Sequence, residues 1–205
     1  MTSYAQNGED LTLARLLDGV EKGFYIDVGA GHPEEHSVTK LFYDRGWRGI
    51  NVEPSPTAFA LLVQERPRDI NLHFCAGAED GADYFDIYPQ LNDSLSAPTH
   101  HLREFLGRQG FKPQVRGART FTVSSIIYNH APDQLIHFLK IDVEGYEAQV
   151  LAGLDLKVHR PRFMCIEATL PHTQTRCDHK WNRLLLDHGY REILFDGLNC
   201  FYAWE

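Results

Sequence analysis

Gly23-Phe24-Tyr25-Ile26-Asp27-Val28-Gly29-Ala30-Gly31 decides the fold. Phe24 to Val28 reads as a short buried strand. It runs directly into Gly29-Ala30-Gly31, where two glycines let the backbone turn sharply and approach a ligand closely. Ser37 is placed to cap a helix from Val38 to about Arg45. Arg48 to Glu53 is a second strand, and Glu53 stands 22 residues after Gly31. An acid at that distance accepts ribose hydroxyls in a Rossmann site. A lone G-x-G says little, but strand, G-x-G, helix, strand and acid in this order say more.

Outward from this stretch, strand-like and helix-like segments alternate, which predicts an α/β domain with a mainly parallel sheet. Upstream, Leu13, Leu16 and Leu17 give helical spacing, and Glu9 and Asp10 suit the positive end of that helix. Downstream, Pro56 opens a helix to about Glu65. Ile70–Cys75 is a third strand. Residues 80–122 are irregular, with a strand-like alternation from Asp83 to Tyr88, a short helix within His100–Gly110 and a strand at Thr120–Val123. A helix starts near Ser125. Leu135–Asp142 is the fourth main strand, followed by a helix from Glu144 to about Leu151. Arg162–Glu167 is the fifth strand, and Lys180–His188 is a helix. Tyr190–Phe195 and Asn199–Trp204 read as a hairpin.

Composition limits the function. The chain has 205 residues, enough to bury a core without staples. Its formal net charge is −8, and its basic residues are scattered, so a nucleic-acid partner is not expected. No window approaches about 18 apolar residues, so no membrane span is expected. The first residues, MTSYAQNGED, lack the pattern of a leader. Cys75, Cys165, Cys177 and Cys200 form no C-x-x-C pair, and a reducing cytoplasm is the default. Oligomeric state is not legible.

Charge separates two ligands for the glycine loop. A dinucleotide fingerprint places a third glycine at position 34, where this chain has Glu34. Pro33 offers no N–H to a phosphate. Asp27 and Glu34 would repel a pyrophosphate. S-adenosylmethionine instead carries an ammonium and a sulfonium, and Asp27 suits the first, directly or through water. Alternatively, Asp27 only caps the loop.

Four segments carry a resemblance. They are Tyr4–Asp10, Gly23–Ala30, Gly46–Pro54 and Phe138–Glu147, the last containing Leu139-Lys140-Ile141-Asp142-Val143-Glu144-Gly145. Together they resemble the FkbM family of methyltransferases, over nearly the whole chain and least across 80–122. The resemblance implies one methyltransferase domain over 1–205. It also implies a Rossmann-like seven-stranded sheet, mostly parallel, with its last strand antiparallel. Residues 1–20 would form a flap helix and 80–122 an insertion on the acceptor side. Family members typically methylate hydroxyls of sugars or secondary metabolites. The chain departs from the family at Gly31, where Asn is frequent, and at Asp93-Ser94-Leu95, where Ser-Thr-Leu is common.

The implied donor site comprises Tyr4, Gln6, Asp27, Gly29, Ala30, Gly31, Glu53, Pro54, Ala76, Gly77 and Asp142. Tyr4 and Gln6 would fold over the donor, and Ala76-Gly77 would face adenine. On the acceptor side stand Asp142, Glu144, Glu167 and His172, Glu144 either orienting substrate or only complementing a helix dipole. Asp142 and Glu167 end neighbouring strands in the implied sheet. With His172 they would hold Mg²⁺ or Mn²⁺, which lowers the acceptor hydroxyl's pKa. Alternatively, Glu167 bonds the acceptor and His172 is the base, or both are surface loop residues. His32 and His36 are candidates for the acceptor entrance. His100-His101 reads as a solvated pair, and Cys177-Asp178-His179 lacks the partners of a zinc site. The competing readings are a nicotinamide-dependent reductase and a donor-binding module without catalysis.

Overall fold

The computed structural model describes residues 2–88, 100–170 and 173–204. In chain order the elements are α1 (Glu9–Leu16), β1 (Phe24–Val28), α2 (Lys40–Asp44), β2 (Arg48–Val52), α3 (Pro56–Glu65), β3 (Ile70–Leu72), β4 (Cys75–Ala76) and β5 (Gly81–Ile87). They continue with α4 (His100–Arg108), β6 (Gln114–Phe121), α5 (Val123–His130), β7 (Phe138–Ile141), α6 (Glu147–Ala152) and β8 (Phe163–Glu167). A 3-10 turn at Asp178–Lys180 precedes α7 (Asn182–Asp187), β9 (Tyr190–Phe195) and β10 (Asn199–Trp204).

Seven strands form one sheet in the order β3-β2-β1-β7-β8-β10-β9. β2, β1, β7 and β8 pair in parallel, and β10 runs antiparallel to both β8 and β9. This is the expected architecture, with the last strand of the chain reversed. β1, β7 and β8 are buried along their whole length. Helices cover the sheet on both sides. Leu13 and Leu17 with Phe42 meet Tyr25, Phe138 and Phe163 on one face. Ile126, Val150 and Leu185 meet Ile26, Leu139 and Met164 on the other. Burial on both faces explains why these strands read as apolar runs without alternation.

Several local expectations change. The chain from Ile70 to Cys75 is not one strand. β3 stays in the main sheet, while β4 joins β6 and β5 in a second, three-stranded sheet. Ser37 does not cap α2. Thr39 occupies that position, and Ser37 is buried, accepting from Arg66. The helix expected from Glu144 begins at Glu147. Ser55 does cap α3, accepting from the Ala58 N–H. Asp93, Ser94 and Leu95 lie outside the described residues.

The N-terminal segment is tied down by its acids. Asp10 accepts from the backbone N–H groups of Tyr4 and Leu11 and from the Ser3 hydroxyl. Glu9 accepts from the Asn7 N–H and from Asn199 at the start of β10. These bonds fix Gln6 beside the sheet's carboxyl edge. Among the described residues, no helix is long and apolar enough to cross a membrane.

Arg66 fixes the other side of the glycine loop. It is 1% exposed. Its guanidinium donates to the Pro33 carbonyl and to Ser37, and pairs with Asp69 at 3.7 Å. Asp69 in turn accepts from Tyr25, the Gly49 N–H and Asn51. Removing one partner of a buried pair leaves an uncompensated charge, at a cost of about 3–5 kcal/mol. Arg66→Met is therefore expected to lose that much stability in chemical denaturation. A loss under about 1 kcal/mol would show that Asp69 is satisfied without it.

Candidate active site

β2, β1, β7 and β8 end side by side, and their carboxyl ends form the floor of one cleft. Three chambers follow one another along it. The first is apolar and is walled by Val28, Val52, Pro54, Ala76, Phe85 and Tyr146, among others. The second is polar and lies over the glycine loop, with Gln6, Glu53, Lys140, Asp142 and Glu144 on its wall. The third holds Glu167, Thr169, Thr173, Gln174 and Leu198. Gly29, Pro54 and Val143 border the first two chambers. Gln6, Asp142 and Glu144 border the last two. A ligand in the middle chamber would therefore meet another in the third beside these three side chains.

The glycine loop is shaped by close packing. Gly29 has φ +76, and a Cβ there would lie 1.9 Å from the Asp142 carbonyl oxygen. The ends of β1 and β7 thus touch through a position that only glycine fits. Gly31 has φ +60, but a Cβ there would meet nothing within 4 Å. Its N–H donates to Glu53 Oε2, and Ser55 N–H donates to Oε1. Burial raises the Glu53 pKa, against those two bonds. Each oxygen has a further lone pair, and Glu53 lines the middle chamber.

Asp27 stands beneath the cleft rather than on its wall. It is 1% exposed and lines none of the three chambers. Thr39 donates to Oδ2. Oδ1 has no conventional hydrogen bond and faces the Lys140 ammonium at 3.3 Å. This corrects the expectation of direct contact with a ligand ammonium. Lys140 is Asp27's cross-strand partner in the β1–β7 register. The same ammonium donates to the Gly29 carbonyl at 2.7 Å and pairs with Asp142 at 3.6 Å. Burial works against the charge, but Asp27 and Asp142 outweigh it and raise the Lys140 pKa. Sequence reading passed over Lys140. Its signal was a lysine inside an apolar run, since a buried ammonium needs partners.

Asp142 and Glu167 meet as the strand order requires, each following the Ile141–Ile166 pair of β7 and β8. Glu167 is buried, and its Oε2 has no partner among the described residues. Burial first, then the charge of Asp142, pushes its pKa well above the carboxylate range. Glu144 lies in the turn before α6, with φ +55, a left-handed conformation rare outside glycine. Burial and Asp142 push it up as well. Glu147 fastens this turn by accepting from the Val143 and Gly145 N–H groups. Glu144 is therefore not a first-turn acid of the helix, which removes the dipole reading for it. Strained backbone of this kind gathers at functional sites.

Other expected residues sit as follows. Tyr4 lines none of the chambers, and its ring carries the Lys40 ammonium at 4.9 Å. Ala76 is on the apolar wall, whereas Gly77 lines none of the three chambers; its N–H donates to the Phe121 carbonyl, and its α-carbon faces Thr120 and Tyr146. Ala30 and Gly31 line the middle chamber, with His32 and His36. His32 Nδ1 also accepts from the Glu34 and Glu35 N–H groups. The described part of 80–122 contributes to the wall of the apolar chamber. Asp83, Tyr84, Phe85 and Thr120 border the apolar chamber, at the opposite end from Glu167. His172 lies outside the described residues. Among the described residues, three metal-ligating groups come together at Asp178, Glu192 and Cys200. There the Arg176 guanidinium already pairs with both carboxylates.

Sheet order, glycine loop and carboxyl-edge cleft define a Rossmann-like methyltransferase fold. Residues 27–192 match the model of the methyltransferase FkbM domain, and the chain belongs to that family. No curated protein and no solved structure matches it.

The two glycines should respond differently to alanine. Gly31→Ala meets open space and is expected to cost about 1–2 kcal/mol for the left-handed backbone. Gly29→Ala carries the same strain and also forces β1 and β7 apart. Its loss in chemical denaturation should be clearly larger. Equal losses would contradict the close contact at the Asp142 carbonyl.

Proposed function

We propose that the protein is an S-adenosylmethionine-dependent O-methyltransferase acting on a hydroxyl of a sugar, glycan or secondary metabolite. The observation that carries this reading is the order of the chambers. An apolar slot suits adenine, the Glu53 carboxylate on the wall of the middle chamber suits ribose, and the other acids of that chamber suit a cationic methionine group. The third chamber then receives the acceptor. Glu167 Oε2 and Thr169 Oγ1 are buried there without partners among the described residues. Buried polar atoms find hydrogen bonds, and a hydroxyl-rich ligand provides them. On this reading Gln6 and Glu144 border both ligands.

The donor supplies the methyl group, which leaves sulfur as the acceptor oxygen attacks in line. The chain aligns the reacting atoms. Gly29, Ala30, Gly31 and Lys140 shape the methionine end, with Asp27 acting through Lys140. Pro54 and Ala76 flank the base. Glu144 takes the proton from the acceptor hydroxyl. Glu167, held protonated by its surroundings, donates a hydrogen bond beside Asp142.

Mg²⁺ or Mn²⁺ at Asp142, Glu167 and His172 is the less favoured alternative. Crowded carboxylates need a cation or a proton between them. Lys140 supplies the cation beside Asp142, and a retained proton relieves Glu167. Four free thiols suit a reducing compartment, and we assign the enzyme to the cytoplasm on that ground. Polysaccharide or secondary-metabolite biosynthesis would supply its acceptors.

Labelled donor, incubated with pools of neutral glycans and glycosides, tests the assignment. Label should pass to an alkali-stable ether, with or without chelator. Glu144→Gln should lower turnover at least about 100-fold, the usual scale for a general base. Its affinity for S-adenosylhomocysteine should stay near the wild-type value. Calorimetry should show no binding of NAD. Tighter NAD binding, or chelator-sensitive transfer, would overturn the donor or the metal-free reading respectively.

A further inference from the structure

The third chamber is charged on one side only. Among its described lining residues, Asp142, Glu144 and Glu167 are acids, and none is a Lys, Arg or His. The cations of the adjoining strands and loops are committed to other partners. Lys140 is held by Asp27, the Gly29 carbonyl and Asp142. Arg176, whose backbone bridges to Thr169, pairs with Asp178 and Glu192.

An anion can also be held by backbone N–H groups without any cation. Here several neutral donors of the wall are occupied. The Thr173 N–H and hydroxyl both donate to the Leu170 carbonyl. The Leu198 N–H donates to Asp196. Glu167 is hydrogen-bonded to Asp142. The groups left for a ligand are rich in acceptors. Glu167 and Thr169 are 7% and 1% exposed, and Glu167 Oε2 and Thr169 Oγ1 have no partner among the described residues. Gln6 and Gln174 each bring an amide, which donates and accepts. Hydroxyls pair with such a wall. A phosphate or carboxylate finds no counter-charge there and faces Asp142, whose side chain is 35% exposed.

We propose that the third chamber selects an acceptor with no negative charge beside the reacting hydroxyl, a neutral or amine-bearing glycoside, and rejects sugar phosphates and uronates. This rests on the acceptor reading above and narrows its substrate class. The discrimination is repulsive. Like charges brought together without a cation between them penalise the wrong ligand more than any contact rewards the right one.

The probes are two derivatives of one pool of neutral glycosides, partially carboxymethylated or partially carbamoylmethylated. The substituents match in size and differ in charge. Each pool, and the untreated one, is incubated at low salt with the intact protein and labelled S-adenosylmethionine, and the initial rate of ether formation is measured. The carboxymethyl pool is expected to react at least about tenfold more slowly than the carbamoylmethyl pool, a modest like-charge contact at a partly buried site. Ionic strength of about 0.5 M should narrow that gap by screening. Gln174→Lys places a cation at an exposed position of the wall and should narrow it at least about threefold, the scale of one charge in water. Equal rates for the two derivatives overturn the inference, whether both are fast or both are slow. A gap that neither salt nor Gln174→Lys changes overturns it too, since shape would then decide. If no pool is labelled, the O-methyltransferase reading fails and this inference fails with it.

Discussion

The Lys140 ammonium is the interaction on which the cleft depends. It lies at the carboxyl edge of the sheet, between β1 and β7, and touches three things at once. Asp27 is its cross-strand partner, the Gly29 carbonyl belongs to the glycine loop, and Asp142 faces the cleft. A charge this deeply buried is costly unless it is paired and hydrogen-bonded. Both conditions hold here. The same contacts that satisfy the lysine thereby fix the loop and orient Asp142. Gly29, whose α-carbon packs against the Asp142 carbonyl, leaves no slack in that arrangement.

From this point the charge balance of the cleft follows. Asp142, Glu144, Glu147 and Glu167 crowd the ends of β7 and β8. Burial and mutual repulsion push Glu144 and Glu167 upward, and burial pushes Glu147 up to about 7. One buried ammonium does not neutralise four acids, so the cluster favours a retained proton, which the proposed chemistry places on Glu167. A cationic ligand in the middle chamber would be drawn to this cluster, whereas a pyrophosphate would be repelled. The proposed donor and the proposed proton acceptor are thus two consequences of one electrostatic pattern.

Much of the sheet was legible because buried parallel strands leave apolar runs. Phe24–Val28 and Phe163–Glu167 were visible for that reason, and Asp196-Gly197 marked the final hairpin. Asp142 and Glu167 could be placed side by side because the sheet order that the resemblance implies makes their strands neighbours. The misread parts depend on long-range partners or on backbone dihedrals. Glu9 and Asp10 do stand in the first turn of α1, but nothing local shows that Glu9 also binds Asn199 near the far end of the chain. Ser37 looked like a cap, yet it is held by Arg66. Glu144 looked helical because nothing local announces a left-handed turn except Gly145 beside it. Asp27 was judged by its place after a strand, while its burial is set by α2 through Thr39 and by Lys140 in β7.

The central claim is that Lys140 orders the donor end of the cleft and does more than neutralise Asp27. Comparing Lys140→Met with Lys140→Met/Asp27→Asn separates the two. The single variant strands a buried carboxylate and should be strongly destabilised. The double variant removes that charge, and the amide oxygen can still accept from Thr39. It should therefore recover stability. The deciding measurement is its calorimetric affinity for S-adenosylhomocysteine. The account predicts a folded double variant that binds at least about tenfold more weakly than wild type, the scale of a charge-assisted hydrogen bond. Wild-type affinity in the folded double variant would contradict it.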